Sequence, residues 1–203
     1  MAFIGMRHVV AAKITAETEG SAITYGASGS GMVIGKAIQG NVSWDRNDNP
    51  LYADDAIAED DSGVIGGSLE LGVDDLSADA REYVLGLVQQ TGTGNTNKYD
   101  LTDAPAPYLG VGYVRVRKKN GTLSYQGVWY HKIQFSEGSE DAQTKGESIE
   151  WGTPTLTGKI FGVHTDSTGK AYFRVEAWFN SLSDAVSWLD GLANISTSGT
   201  TSG

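Results

Sequence analysis

The chain has no cysteine among its 203 residues. That excludes a disulfide framework, a thiolate metal site and a thiol nucleophile, and it fits assembly in a reducing compartment. Proline is scarce at 4, while glycine is plentiful at 27. Many glycines beside many Val, Ile, Thr and Tyr point to strands and tight turns. No stretch approaches 18 consecutive apolar residues, so no helical membrane span is expected. The opening "MAFIGMRHVVAAKIT" is interrupted by Arg7 and His8 before it reaches a signal-peptide core. Positive charge is almost missing from one region: residues 41–80 hold 11 acids and only Arg46, a net of −10. The whole chain is also −10, so the remainder is balanced. A chain this acidic is a poor candidate for tight nucleic-acid binding, which needs cations against phosphates.

With 39% hydrophobic and 20% charged residues, the composition is that of a globular protein, and the length suits one domain. Residues 36–44 and 63–73 read as strands, the second placing Val64, Leu69, Leu71 and Val73 toward a core. Between them, residues 45–63 are expected to form a long acidic loop, of a length that is usually functional. "SADAREYVLGLVQQ" (77–90) predicts a helix capped by Ser77, with Ala80, Tyr83, Val84, Leu87 and Val88 on one face and Gly86 inside it. Asn120-Gly121 predicts a tight hairpin between strands 108–118 and 122–135, with Leu123, Tyr125, Trp129, Ile133 and Phe135 all facing the core. A second hairpin is expected about "HTDSTG", then a short helix from Leu182 to Leu189 stopped by Gly191. The fold class is mainly β: an antiparallel β-sandwich or barrel over residues 1–191, with a flanking helix. Residues 192–203 read as a Ser/Thr/Gly tail.

Chemical motifs fail on inspection. "DRNDNP" (45–50) starts like a calcium loop, but Pro50 stands where Gly is needed and Ala56 where Glu is needed. "GSGMVIGKA" (29–37) is one residue short of a phosphate loop, and Ala37 replaces its Ser or Thr. His8, His131 and His164 carry no accompanying nucleophile motif, and His131 reads as a partly buried structural residue. No catalytic residue, metal or cofactor is assigned.

Four segments together resemble a known family. They are "LYADDAIAE" (51–59), "LELGVDDLSADAREYVLG" (69–86), "APYLGVGYVRVRKKNGTLSYQGVWYHKIQF" (106–135) and "AQTKGESIEWGTPTLTG" (142–158). In this order they resemble the major tail proteins, or tail tube proteins, of long-tailed bacteriophages. The resemblance implies a β-sandwich with a flanking helix. It further implies hexameric rings stacked into a hollow tail tube around a tape-measure protein, closed by tail-end proteins. DNA would pass through the tube without specific binding. The subunit would be made in the host cytoplasm, reside in the virion, and have neither enzymatic activity nor cofactor. The region from about Thr165 is less typical of the family. A non-catalytic carbohydrate-binding β-sandwich is the second reading, since five Trp and nine Tyr could build a sugar platform. A hydrolase is the third.

"LYADDAIAEDDSG" (51–63) poses the sharpest question, with five acids and no base. We read it as a subunit contact: Leu51, Tyr52 and Ile57 supply apolar anchors, while Asp54, Asp55, Glu59, Asp60 and Asp61 meet cations on a neighbour. Arg115, Arg117, Lys118 and Lys119, clustered at one hairpin, are the expected partners, with Lys145 as another.

Overall fold

The computed structural model describes residues 3–48, 50–53, 56–60, 62–91, 97–137 and 153–196. Its strands are β1 (Phe3–Ala16), β2 (Thr24–Tyr25), β3 (Met32–Gly35), β4 (Ala37–Asn47), β5 (Pro50–Ala53), β6 (Ala56–Asp60), β7 (Gly63–Val73), β8 (Val88–Thr91), β9 (Asn97–Asp100), β10 (Tyr108–Lys119), β11 (Thr122–Glu137), β12 (Thr155–Ile160) and β13 (Arg174–Phe179). Two helices, α1 (Ala78–Leu85) and α2 (Leu182–Leu192), complete it. The fold is mainly β and antiparallel, as the composition implied.

The long strand β11 belongs to two layers. Its first half pairs with β13 through Tyr125–Tyr130, and its second half pairs with β12 through Ile133–Glu137. The first layer is therefore β13, β11, β10 and β1, with β2 and β3 both on β1. The second is β11, β12, β7 and β4. A bulge marks the crossing: Tyr130 pairs with Val111 and Ile133 with Leu109, so β11 carries one residue more than β10 there.

That extra residue inverts side-chain parity. Ile133 and Phe135 face the large core between the layers, but so do Val128 and Tyr130. Trp129 points the other way, into a second core under α2, with Tyr125 packed at its margin, and Leu123 is exposed. The expectation of one inward face along β11 is thus corrected. The central strands are buried on both sides: Val9 and Ala11 of β1 join the large core, Val10 and Ala12 the second.

Asn120 (φ 50°) and Gly121 (φ 81°) both take left-handed backbone, as the predicted two-residue hairpin turn requires. Ser77 caps α1, its Oγ accepting from the Ala80 amide. Gly86 ends that helix rather than lying inside it. Its φ of 75° is the left-handed cap, and residues 88–91 turn into β8 against β9. The expected hairpin about "HTDSTG" reduces to a single bridge, Val163 to Tyr172, because β12 and β13 each pair with β11 instead.

The C-terminal region is fuller than expected. α2 continues through Gly191, and Leu192, Ala193 and Ile195 pack on the second core, so these residues are not tail. Gly112 and Gly127 let α2 come down on the sheet: an added Cβ would lie 2.7 Å from Leu189 Cδ2 at the first and 2.6 Å from the Trp188 ring at the second. The acidic stretch is also more ordered than a loop. β4 runs on to Asn47, β7 begins at Gly63, and β5 and β6 pair between them, Tyr52 opposite Ile57.

Candidate functional site

The second layer turns a largely polar face outward. Two rows cross its four strands: Asn41, Glu70, Thr157, Ser136, and then Ser43, Ser68, Lys159, Gln134. All are exposed except the half-buried Gln134, whose Nε2 donates to the Ala106 carbonyl at 2.7 Å. The alternate residues Val42, Leu69, Leu71, Leu156 and Ile160 point into the large core, so strict alternation makes one face dry and the other wet. β4 ends this layer. Its edge away from β7, on a strand of 11 residues, pairs with no strand among the described residues. Two bulges push isoleucines outward near the strand ends, Ile38 in β4 and Ile65 in β7, at 50% and 65% exposure.

The first layer carries a different surface where the β10–β11 hairpin projects. Arg115 and Arg117 are two apart on β10 and share the face that, further along, enters the large core. The Arg115 guanidinium lies 5.5 Å from the Phe3 and Tyr113 ring centres, and its Nη2 donates to Tyr113 Oη at 3.1 Å. The Arg117 guanidinium lies 5.5 Å from the Trp178 ring. Phe3 and Trp178 stack on each other at 6.3 Å. Both rings remain open to solvent, at 38% and 46% exposure.

Behind this shelf lies a polar chain. Tyr113 and Tyr130 share a hydrogen bond at 3.1 Å, Gln126 Nε2 donates to Glu176 Oε2 at 2.6 Å, and Arg174 pairs with Glu176 at 2.7 Å while covering the Trp44 ring. Burial acts to lower the Arg115 pKa, but the Tyr113 and Tyr130 oxygens and Glu176 outweigh it and raise the value, so the guanidinium stays charged. Burial, then the neighbouring Tyr113, pushes the Tyr130 phenol far up. Gln126 is 4% exposed, and its Oε1 is buried without a hydrogen-bond partner.

The predicted contact residues thus separate. Lys118 and Lys119 are exposed at the hairpin tip, whereas Arg115 and Arg117 are held against aromatic rings. Leu51, Tyr52, Ile57, Glu59 and Asp60 lie on the β5–β6 hairpin, and Asp54, Asp55, Asp61 and Lys145 lie outside the described residues. Sequence reasoning missed Phe3, Gln126, Glu176 and Trp178. The alternation Arg174, Glu176, Trp178 along β13 was the available signal, and the expected hairpin pairing hid its destination.

The histidines are scattered. His131 sits in the β11 bulge, where burial lowers its pKa, and its amide donates to the Phe173 carbonyl. His8 has left-handed backbone (φ 54°) in a β1 irregularity, and its Nε2 lies 2.7 Å from Oδ1 of the buried Asp190, tying α2 to the sheet. His164 is exposed. Among the described residues no three His, Asp or Glu side chains group as metal ligands, and no helix is long and apolar enough to cross a membrane. Neither a protein-family model nor a curated protein matches this sequence.

Proposed function

We propose that this chain is a structural subunit that assembles with copies of itself into stacked rings, forming a hollow phage tail tube through which DNA is delivered. Hexameric rings, the tape-measure and tail-end partners and a place in the virion follow from the resemblance described above, and no catalytic role is assigned. The observation that favours this reading is the second layer. Its outward face offers DNA small hydroxyls, amides and a few charges along both rows, with apolar side chains only at Ile38 and Ile65 near the strand ends and, among the described residues, no dense cationic cluster to hold a polyanion. Its last strand, the 11-residue β4, is paired with a strand on one side only among the described residues. An edge of that length is an aggregation hazard in a monomer and an assembly element in a ring, where a head-to-tail contact can close.

A carbohydrate-binding module gains no comparable support. Of the described aromatic rings only Phe3, Tyr108 and Trp178 are exposed, and each already contacts a ring and a cation within the chain. Sedimentation velocity over a range of protein and salt concentrations tests the assembly reading. Species much larger than 21.5 kDa that grow with concentration are expected. A single monomeric boundary throughout would overturn it.

A further inference from the structure

The shelf on the β10–β11 hairpin is chemically unfinished. Arg117 has an aromatic face beneath its guanidinium and no carboxylate within 4.0 Å among the described residues. Arg115 donates to a phenol rather than to a carboxylate. Two exposed, stacked rings and one buried, unpartnered amide oxygen lie beside them. Stacking fixes both guanidiniums in orientation, so little side-chain freedom is left to lose when an acid arrives. Lys118 and Lys119 extend the same positive surface to the hairpin tip, making residues 115–119 four bases without an acid.

Charge elsewhere narrows the occupant. Outside residues 41–80 the chain is neutral overall, so most contacts between two copies gain no electrostatic steering. The run Asp54, Asp55, Glu59, Asp60, Asp61 is the densest opposite charge the chain contains. It also brings Leu51, Tyr52 and Ile57, side chains of the kind that cover exposed rings. Phe3 and Trp178 stay exposed beside the two guanidiniums, which leaves the shelf accessible to a second molecule.

We propose that the shelf of Phe3, Arg115, Arg117 and Trp178 receives the acidic segment 54–61 of a second copy of this chain. This rests on the self-assembly reading and names its contact. Burying the acids alone would be prohibitive, and the guanidinium fork supplies the paired, hydrogen-bonded geometry that makes partial burial tolerable. The two surfaces differ, so each copy gives one and receives one. Such a head-to-tail contact propagates from copy to copy.

The absence of cysteine provides the test. Two single variants, Lys118→Cys and Ala58→Cys, are purified separately, mixed under assembly conditions and oxidised. Their mixed disulfide is expected at least about tenfold above that of a control pairing Lys118→Cys with Ser183→Cys on the exposed side of α2. In parallel, Arg117→Glu is expected to raise the protein concentration needed for assembly about tenfold or more, and Asp60→Lys/Asp61→Lys in the same chain to recover most of it. If assemblies form but the cross-link matches the control, the shelf contact is wrong and the assembly reading stands. If a chain carrying both cysteines closes on itself in dilute monomer, the occupant is its own hairpin and the proposal is overturned. If no assembly forms at all, both readings fall.

Discussion

Gly112 lies on β10 beneath α2, where an added methyl would stand 2.7 Å from Leu189 Cδ2, 2.7 Å from the Trp129 ring and 2.9 Å from the Val128 carbonyl oxygen. Gly112→Ala therefore overpacks this core and is expected to cost about 1–3 kcal/mol. Leu189→Ala removes a fully buried side chain from a core of seven fully buried residues and is expected to cost about 2–5 kcal/mol. The two changes are coupled, because the Leu189 methyl is one of the atoms the new methyl strikes. In the double variant the alanine at 112 grows partly into the space left at 189. The combined cost should fall short of the sum by at least about 0.5 kcal/mol. Rescue is incomplete, since the Trp129 and Val128 contacts persist. Urea unfolding at concentrations below assembly, followed by tryptophan fluorescence, gives all four stabilities. Strict additivity, or a neutral Gly112→Ala, would refute the described seating of α2.

Ser77→Ala should destabilise by about 1 kcal/mol through loss of the α1 cap, and an unchanged unfolding midpoint would contradict the cap geometry. Burial raises the Tyr25 pKa to about 12, against a Trp129 hydrogen bond that lowers it. The folded state holds that proton more tightly than the unfolded chain does. Stability should thus be unaffected by Tyr25 below pH 10 and then fall between pH 10 and 12, by up to about 1.4 kcal/mol per unit. A phenolate absorbance titration in which all nine tyrosines ionise together near pH 10 would refute this. Replacing Asp54, Asp55, Glu59, Asp60 and Asp61 by Asn or Gln should leave the monomer folded but change assembly and its salt dependence. Normal assemblies with an unchanged salt response would make these acids a solvated turn.

Local signals were legible where one residue type has one physical solution. Asn120-Gly121 specified its turn, Ser77 its cap, and the alternation in β7 placed Leu69, Leu71 and Val73 in the core. Gly86 was placed in the right element with the wrong role, because a glycine costs a helix interior and suits a helix end equally well. The β11 bulge was invisible: the extra residue at His131–Lys132 follows from pairing with β10 and from the change of layer, not from composition. The pairing of β13 with β11 was equally hidden, because proximity in sequence favoured β12 as its partner. That error concealed the shelf, since Phe3 and Trp178 are 175 positions apart in sequence and meet only across four strands. Charge segregation is legible in the sequence and marks the cationic hairpin, but the split of its four bases into ring-stacked Arg115 and Arg117 and exposed Lys118 and Lys119 depends on Phe3 and Trp178, which are remote in sequence.

Electron microscopy of the purified chain, concentrated at moderate salt, tests the central claim most directly. Rings with a central hole, stacking into tubes at higher concentration, are the predicted result. Uniform particles of single-chain size at every concentration and salt would contradict it.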